Sequence, residues 1–300
     1  VNILYRAYKV SAEVFTEELR ISSNDSQQWH WTTGLFYKDA ATVPADIPEV
    51  LFGGFPITLF NEDNSKSWAI FGEAGYQVTE QLEVGVGIRY FEDDREFFGS
   101  KTAAAQDGTF DSVNPKFYLS YHLNEDIHLF ANAAKGFRSG GFNSGGPSYQ
   151  PESVWSYELG SKMSFLDGHL DSELALFYSQ YDDYQIIGVT DPSVGNVTSN
   201  AGNADVKGID LSLKYYATEH LELGFAGNYL DTEFTEIKST SSSHIVGDPL
   251  DLVAKYGYSL WADYKFSWSQ NIPGFIRIDY SRQGKSHYRN RSLDNTSVGL

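Results

Sequence analysis

The segment Leu82–Phe91 alternates with a period of two. Leu82, Val84, Val86, Ile88 and Tyr90 share one side; Glu83, Gly85, Gly87, Arg89 and Phe91 share the other. Successive strand side chains point to opposite faces, so this alternation predicts a β-strand and not a helix. The pattern recurs along the chain. Phe117, Leu119 and Tyr121 oppose Lys116, Ser120 and His122. Trp155, Tyr157 and Leu159 oppose Glu158, Gly160 and Lys162. Ile209, Leu211, Leu213 and Tyr215 oppose Asp210, Ser212 and Lys214. Leu221, Leu223 and Phe225 oppose Glu222, Gly224 and Ala226. Tyr256, Tyr258, Leu260, Ala262 and Tyr264 oppose Lys255, Gly257, Ser259, Asp263 and Lys265, and Ile276, Ile278 and Tyr280 oppose Arg277, Asp279 and Ser281. Twelve strands are predicted, near 14–23, 28–38, 67–78, 82–91, 113–123, 127–136, 153–165, 169–182, 205–217, 221–232, 251–266 and 274–283. The first and third are less regular: Glu17 shares the side of Phe15, Leu19 and Ile21, and Glu73 shares that of Phe71.

Strands of ten or more residues exceed the five or six usual in globular sheets and match the length that crosses a bilayer at a tilt. Their connections alternate. Short ones fall at Asn24–Gln28, Thr79–Gln81, Asn124–Asp126, Leu166–Gly168, Thr218–His220 and Ser267–Pro273. Long ones begin near Asp39, Glu92, Phe137, Asp183, Glu233 and Gly284. Short turns at one end and long loops at the other are the signature of an outer-membrane barrel, with the turns on the periplasmic side. The expected fold class is all-β, an antiparallel up-and-down transmembrane β-barrel.

Composition fits this reading. The 300 residues include 20 Tyr, 20 Phe and 6 Trp, enough for two interfacial girdles. No apolar run reaches the ~18 residues of a transmembrane helix. The mean hydropathy of −0.37 does not oppose a barrel, because only alternate residues meet lipid. The absence of Cys rules out disulfides and thiolate metal sites. A net charge of −18 excludes the electrostatic footprint of a nucleic-acid binder. It leaves open either simple solvation of loops and lumen or divalent-cation bridging to anionic lipid. The opening VNILYRAYKV has none of the regions of a signal peptide, which suggests a trimmed precursor or an internal piece.

Four segments carry a family resemblance: Thr16–Ser23 (TEELRISS), Lys135–Asn143 (KGFRSGGFN), Tyr157–Lys162 (YELGSK) and Asn200–Asp210 (NAGNADVKGID). In this order and spacing they resemble the barrel of TonB-dependent outer-membrane receptors, across nearly the whole chain. The resemblance implies a plugged barrel of about 22 strands. It implies import of a scarce nutrient, above all a ferric siderophore, captured by extracellular loops and driven through the TonB complex. Lipid and lipopolysaccharide are the other implied partners; no nucleic acid, cofactor, metal site or catalytic group is expected, and the location is the outer membrane of a Gram-negative bacterium. Twelve strands against the roughly 22 that the resemblance implies, with neither plug nor terminal aromatic in the sequence, lead to the expectation that residues 1–300 are part of such a barrel. A closed twelve-strand porin or outer-membrane enzyme is the alternative, and it requires the strands near 14–23 and 274–283 to pair.

The capture surface is expected on the long loops. Phe52, Phe55 and Phe60 in the first loop pack either on a ligand or on one another. The run Glu92–Phe98, with Arg95 and Phe97, is either a cation site or a solvated charge run. Arg138 stands where Gly136, Gly140 and Gly141 open a loop, and either braces its base or meets ligand. Tyr149 and Tyr184 join the candidates. The basic cluster Arg282, Lys285, His287, Tyr288, Arg289 and Arg291 suits an anionic ligand or lipopolysaccharide. Facing the lumen or plug are expected Arg89, Lys116, Glu158, Lys162, Asp210, Lys214, Arg277 and Asp279. Gly208 is expected on that face, where it permits a bulge or close approach.

Overall fold

The structure is a computed structural model that describes residues 11–24, 28–43, 50–52, 55–57, 61–99, 104–191, 195–238, 244–269 and 272–286. Its strands are β1 (Ser11–Ser22), β2 (Trp29–Val43), β3 (Val50–Phe52), β4 (Phe55–Ile57), β5 (Asn61–Gln77), β6 (Leu82–Gly99), β7 (Gln106–His122), β8 (Ile127–Arg138), β9 (Glu152–Phe165), β10 (Leu170–Asp191), β11 (Gly195–Tyr216), β12 (Leu221–Ile237), β13 (Tyr256–Ser269) and β14 (Ile272–Gln283). Twelve form one antiparallel sheet in chain order, and β3 and β4 pair apart from it as a small hairpin. All twelve expected membrane strands are therefore present. Among the described residues β1 pairs only with β2 and β14 only with β13, so the closed twelve-strand barrel does not form.

Strand alternation sorts the side chains as the sequence requires. Leu35, Ile70, Val86, Ile88, Phe117, Leu159, Ile209 and Leu260 lie on one face and stay widely exposed, Ile88 at 57% and Leu159 at 58%. Leaving such side chains in water forfeits roughly 1.5–3 kcal/mol each, so this face is built for lipid. The polar face is concave. Lys162, Glu173, Asp210, Ser212, Asn228, Ser259 and Ser281, from six strands, close around a cavity of about 870 Å³.

Cross-strand rows order that concave face. His30, Gly75, Gly85 and Tyr118 lie in register on β2, β5, β6 and β7. The two glycines leave the strip on which Tyr118 lies flat; a Cβ at Gly85 would sit 2.1 Å from its ring. The Tyr118 hydroxyl thus reaches Glu83 Oε1 at 2.8 Å and His30 Nε2 at 3.3 Å, three strands away. Gly208 serves its cross-strand partner Phe177 in the same manner, as a site of close approach.

The loop end departs from expectation. The segments beginning near Glu92 and Asp183 are not loops but continuing strand, and β6 runs 18 residues while β10 and β11 run 22 each. About ten residues cross the bilayer. The β10–β11 hairpin therefore continues for roughly 40 Å of strand beyond it at ~3.3 Å per residue. The apolar alternation stops at the membrane boundary because water needs no greasy face, yet the backbone ladder goes on. Polar cross-strand contacts support it, such as Ser65 Oγ to Asp93 at 2.6 Å and Thr109 Oγ1 to Asp94 at 2.6 Å. Period two also splits the Glu92–Phe98 run: Asp93, Arg95 and Phe97 continue the face of Arg89, and Glu92, Asp94 and Glu96 that of Ile88. The strand expected at 251–266 begins only at Tyr256, since Leu252 takes a left-handed φ of 61° that interrupts extended backbone.

Candidate functional site

The loop after Arg138 turns inward at the loop end. Gly140 and Gly141 let it fold back, and Gly141 and Tyr149 exchange backbone hydrogen bonds of 3.0 and 2.9 Å. On one flank it lies against β6 and β7. Arg95 Nη1 donates to Gly140 O at 2.9 Å, and Arg95 Nη2 holds the Asp63 carboxylate at 2.7 Å. Burial works against the Arg95 charge, but the Asp63 pair, Tyr149 and Asp93 outweigh it, and its pKa lies above the ordinary value. Phe142 of the loop packs beside Phe110 at 6.3 Å between centroids.

On the other flank the loop is tied to β10 and β11. Arg138 Nε donates to Gln185 Oε1 at 2.7 Å, and Arg138 Nη2 lies 3.6 Å from Glu152. Glu152 accepts the Gln185 backbone N–H at 2.6 Å. Gln185 Nε2 donates in turn to Ser139 O and Gln150 O, at 3.0 Å each. Asn143 exchanges two hydrogen bonds of 2.8 Å with the backbone of Thr198. Asn200, the first residue of the fourth motif, accepts from Gln150 N at 2.7 Å and donates to Gln150 O and Asp183 O. Ladder irregularities around Asp183, itself at a φ of 54°, turn these β10 groups toward the loop.

Beyond the bilayer a small apolar core steadies the same hairpin. Ala201, Ala204, Phe234 and Leu250 are buried, with Tyr181, Tyr184, Ile186, Val206, Ile237 and Val253 around them. Tyr184 meets Phe234 edge-on at 5.8 Å, and His244 packs on Phe234 at 4.8 Å while its Nε2 lies 3.1 Å from Asp251. Burial, and then Glu152, raise the pKa of the Tyr184 hydroxyl. Gly202 sits at a φ of 150° with Glu236 O so close that a Cβ has no room.

These contacts place the expected residues. Arg95, Arg138 and Tyr149 belong to the bracing of the inward loop. Phe97 is buried and Tyr184 packs in the small core. Arg282, near the end of β14, is in register with Tyr258 and stands on the convex face beside Tyr280, not on the concave one. Phe55 lies on β4, of which only the backbone is described, and Tyr288, Arg289 and Arg291 lie outside the described residues. On the concave face Lys116 pairs with Glu73 at 2.8 Å, Lys162 with Glu173 at 3.2 Å and Lys214 with Glu222 at 3.5 Å. Arg277 pairs with Asp263 and Asp279, both at 2.9 Å. Glu158 accepts from Asn132 at 3.2 Å, Asp210 lines the cavity, and Arg89 lies against phenylalanine rings. Sequence reasoning missed Asp63, Glu152 and Gln185, which carry no periodic or motif signal. Asn143 and Asn200 were inside quoted motifs, but nothing marked their partners.

Comparison with known proteins bears on this arrangement. The chain matches the family model described as TonB dependent receptor-like, beta-barrel, over residues 5–299. It is similar to the metal-pseudopaline receptor CntO of Pseudomonas aeruginosa, 33% identical over 172 residues, 56% of this chain and 23% of that protein. It is similar to the probable TonB-dependent siderophore receptor PiuA of Acinetobacter baumannii, 26% identical over 212 residues, 63% of this chain and 28% of that protein. In fold it resembles the ferric yersiniabactin uptake receptor FyuA from Yersinia pestis, with a TM-score of 0.75 and 19% identity. That likeness covers 93% of this chain and 44% of the other. The chain spans about a quarter of the length of the curated relatives it matches.

Proposed function

The chain belongs to the TonB-dependent receptor β-barrel family, and on that premise we propose that residues 1–300 form part of the barrel of a longer outer-membrane receptor for ferric siderophores. Barrels of this family are outer-membrane proteins of Gram-negative bacteria, and their relatives here are receptors and transporters rather than enzymes. The match across residues 5–299 carries the reading. The loop-end architecture supports it: a long projecting hairpin, and an inward loop tied on both flanks, make a shaped mouth rather than a wide pore. In this reading ligand meets the exposed surface of the mouth, with half-exposed Arg138 as a cationic contact there. Arg95, Tyr149, Phe55, Phe97 and Tyr184 then shape the mouth more than they touch cargo. The TonB complex supplies energy through segments of the receptor beyond these strands, and the convex face meets lipid and lipopolysaccharide.

The test deletes the complete gene and restores it. Cells are starved of iron and offered single ferric siderophores of the catecholate, hydroxamate and carboxylate classes. Loss of growth on at least one, recovered only with the intact gene and a working TonB complex, is expected. Unchanged growth and iron uptake on all of them would count against the assignment.

A further inference from the structure

We propose that Arg89, framed by Phe36, Phe71 and Phe91 on the concave wall, is a binding site for a carboxylate group that the described strands do not supply. The guanidinium carbon lies 5.1 Å from the Phe36 ring, 5.6 Å from Phe71 and 5.8 Å from Phe91. Register builds the frame. Gly34, Phe71, Arg89 and Asn114 form one cross-strand row, and Phe36, Ala69, Phe91 and Ser112 form the next. Ala69, fully buried, leaves room for the two rings on either side of it. Phenylalanine faces attract the cation and fix its position but accept no conventional hydrogen bond.

Most cations on the wall are matched and Arg89 is not; Lys38 and Lys265 on the same face also lack an ion pair among the described residues, but only Arg89 is framed by three rings. Lys116, Lys162, Lys214 and Arg277 each hold a carboxylate within 4 Å. Arg95 holds Asp63 above, and Glu73, in the row below Arg89, is committed to Lys116 at 2.8 Å. Among the described residues no acceptor takes any of the Arg89 donors, in a chain with 40 acidic residues and 22 basic ones. Arg20, 5.7 Å from the same Phe71 ring, adds a second positive charge, partly answered by Glu18 at 2.6 Å. A guanidinium fork held in place with its donors free matches a planar carboxylate, which accepts two parallel hydrogen bonds. The carboxylate comes either from an acidic side chain elsewhere in the full-length receptor or from a small solute in the barrel. This site does not depend on which nutrient the receptor imports.

The test uses the full-length receptor with two arms, comparing wild type, Arg89→Gln and Arg89→Lys, each first checked for a folded barrel by heat-dependent gel mobility. The first arm titrates citrate by calorimetry. If the source is a solute, Arg89→Gln weakens binding by about tenfold or more and Arg89→Lys by less, because lysine keeps the charge but loses the fork. The second arm places a photo-cross-linking amino acid at Phe71 in native outer membranes without added carboxylate. If the source is internal, wild type cross-links to an acidic segment outside β1–β14, and Arg89→Gln abolishes that product. Citrate affinity and cross-linking pattern both indifferent to Arg89 would overturn the proposal.

Discussion

Gln185 is where the mouth converges. Its side-chain oxygen accepts from Arg138, its amide nitrogen donates to Ser139 and Gln150 carbonyls, and its backbone N–H donates to Glu152. Gln185 and Glu152 are both buried, so each lost partner leaves a polar group without water and costs about 1–3 kcal/mol. Gln185→Ala is expected to loosen the loop over 139–151 without opening the barrel. Limited proteolysis of the full-length receptor in membranes should cut that loop faster, with unchanged heat-dependent mobility. Gly85 obeys a different constraint, that of space. Gly85→Ala drives a methyl group into the Tyr118 ring and is expected to destabilise the barrel by about 1–3 kcal/mol. Combined with Tyr118→Ala the loss should be smaller than the sum, because the clash is already gone. Urea unfolding in lipid vesicles measures both.

At the scale of elements, the β10–β11 hairpin has two halves with different support. Lipid and the barrel wall hold the half nearer the turn at Leu166–His169. The outer half depends on the apolar core around Phe234, with Leu250 and Val253 contributed by the connection before β13. Phe234→Ala removes the largest buried side chain there and is expected to cost about 3–5 kcal/mol locally. Hydrogen exchange should rise over 181–206 and 230–254 while the membrane parts of β10–β12 stay protected, since local openings are not global ones. Equal exchange increases in both halves would contradict the division.

The whole molecule is a curved sheet with two solvents. Its convex face is apolar for lipid, and its concave face carries matched charges over shared rows. Ile88→Arg, in mid-wall on the convex face, is expected to cost about 2–4 kcal/mol and to lower folding yield into vesicles. Ser212→Arg on the concave face of the full-length receptor should cost less, because that side already carries charge. Similar losses for both would mean that the faces are not distinguished by lipid.

The sequence by itself determined the twelve strands of the wall, the order of their pairing and the two faces of each crossing, though not the small β3–β4 hairpin. Period two is a property of the extended backbone, and lipid imposes it on every crossing, so Leu82–Phe91 declares both faces without knowledge of its neighbours. It also marked Lys135–Asn143 and Asn200–Asp210 as special, through glycines and motif order. Only the tertiary structure decided where the strands stop and what holds the mouth. Above the bilayer no solvent enforces alternation, so β6, β10 and β11 run on through polar residues with no periodic signal. The bonds that tie the loop join Arg138 to a residue 47 positions away and Asn143 to one 55 away. Their energy depends on three-dimensional geometry and burial, which local pattern does not encode.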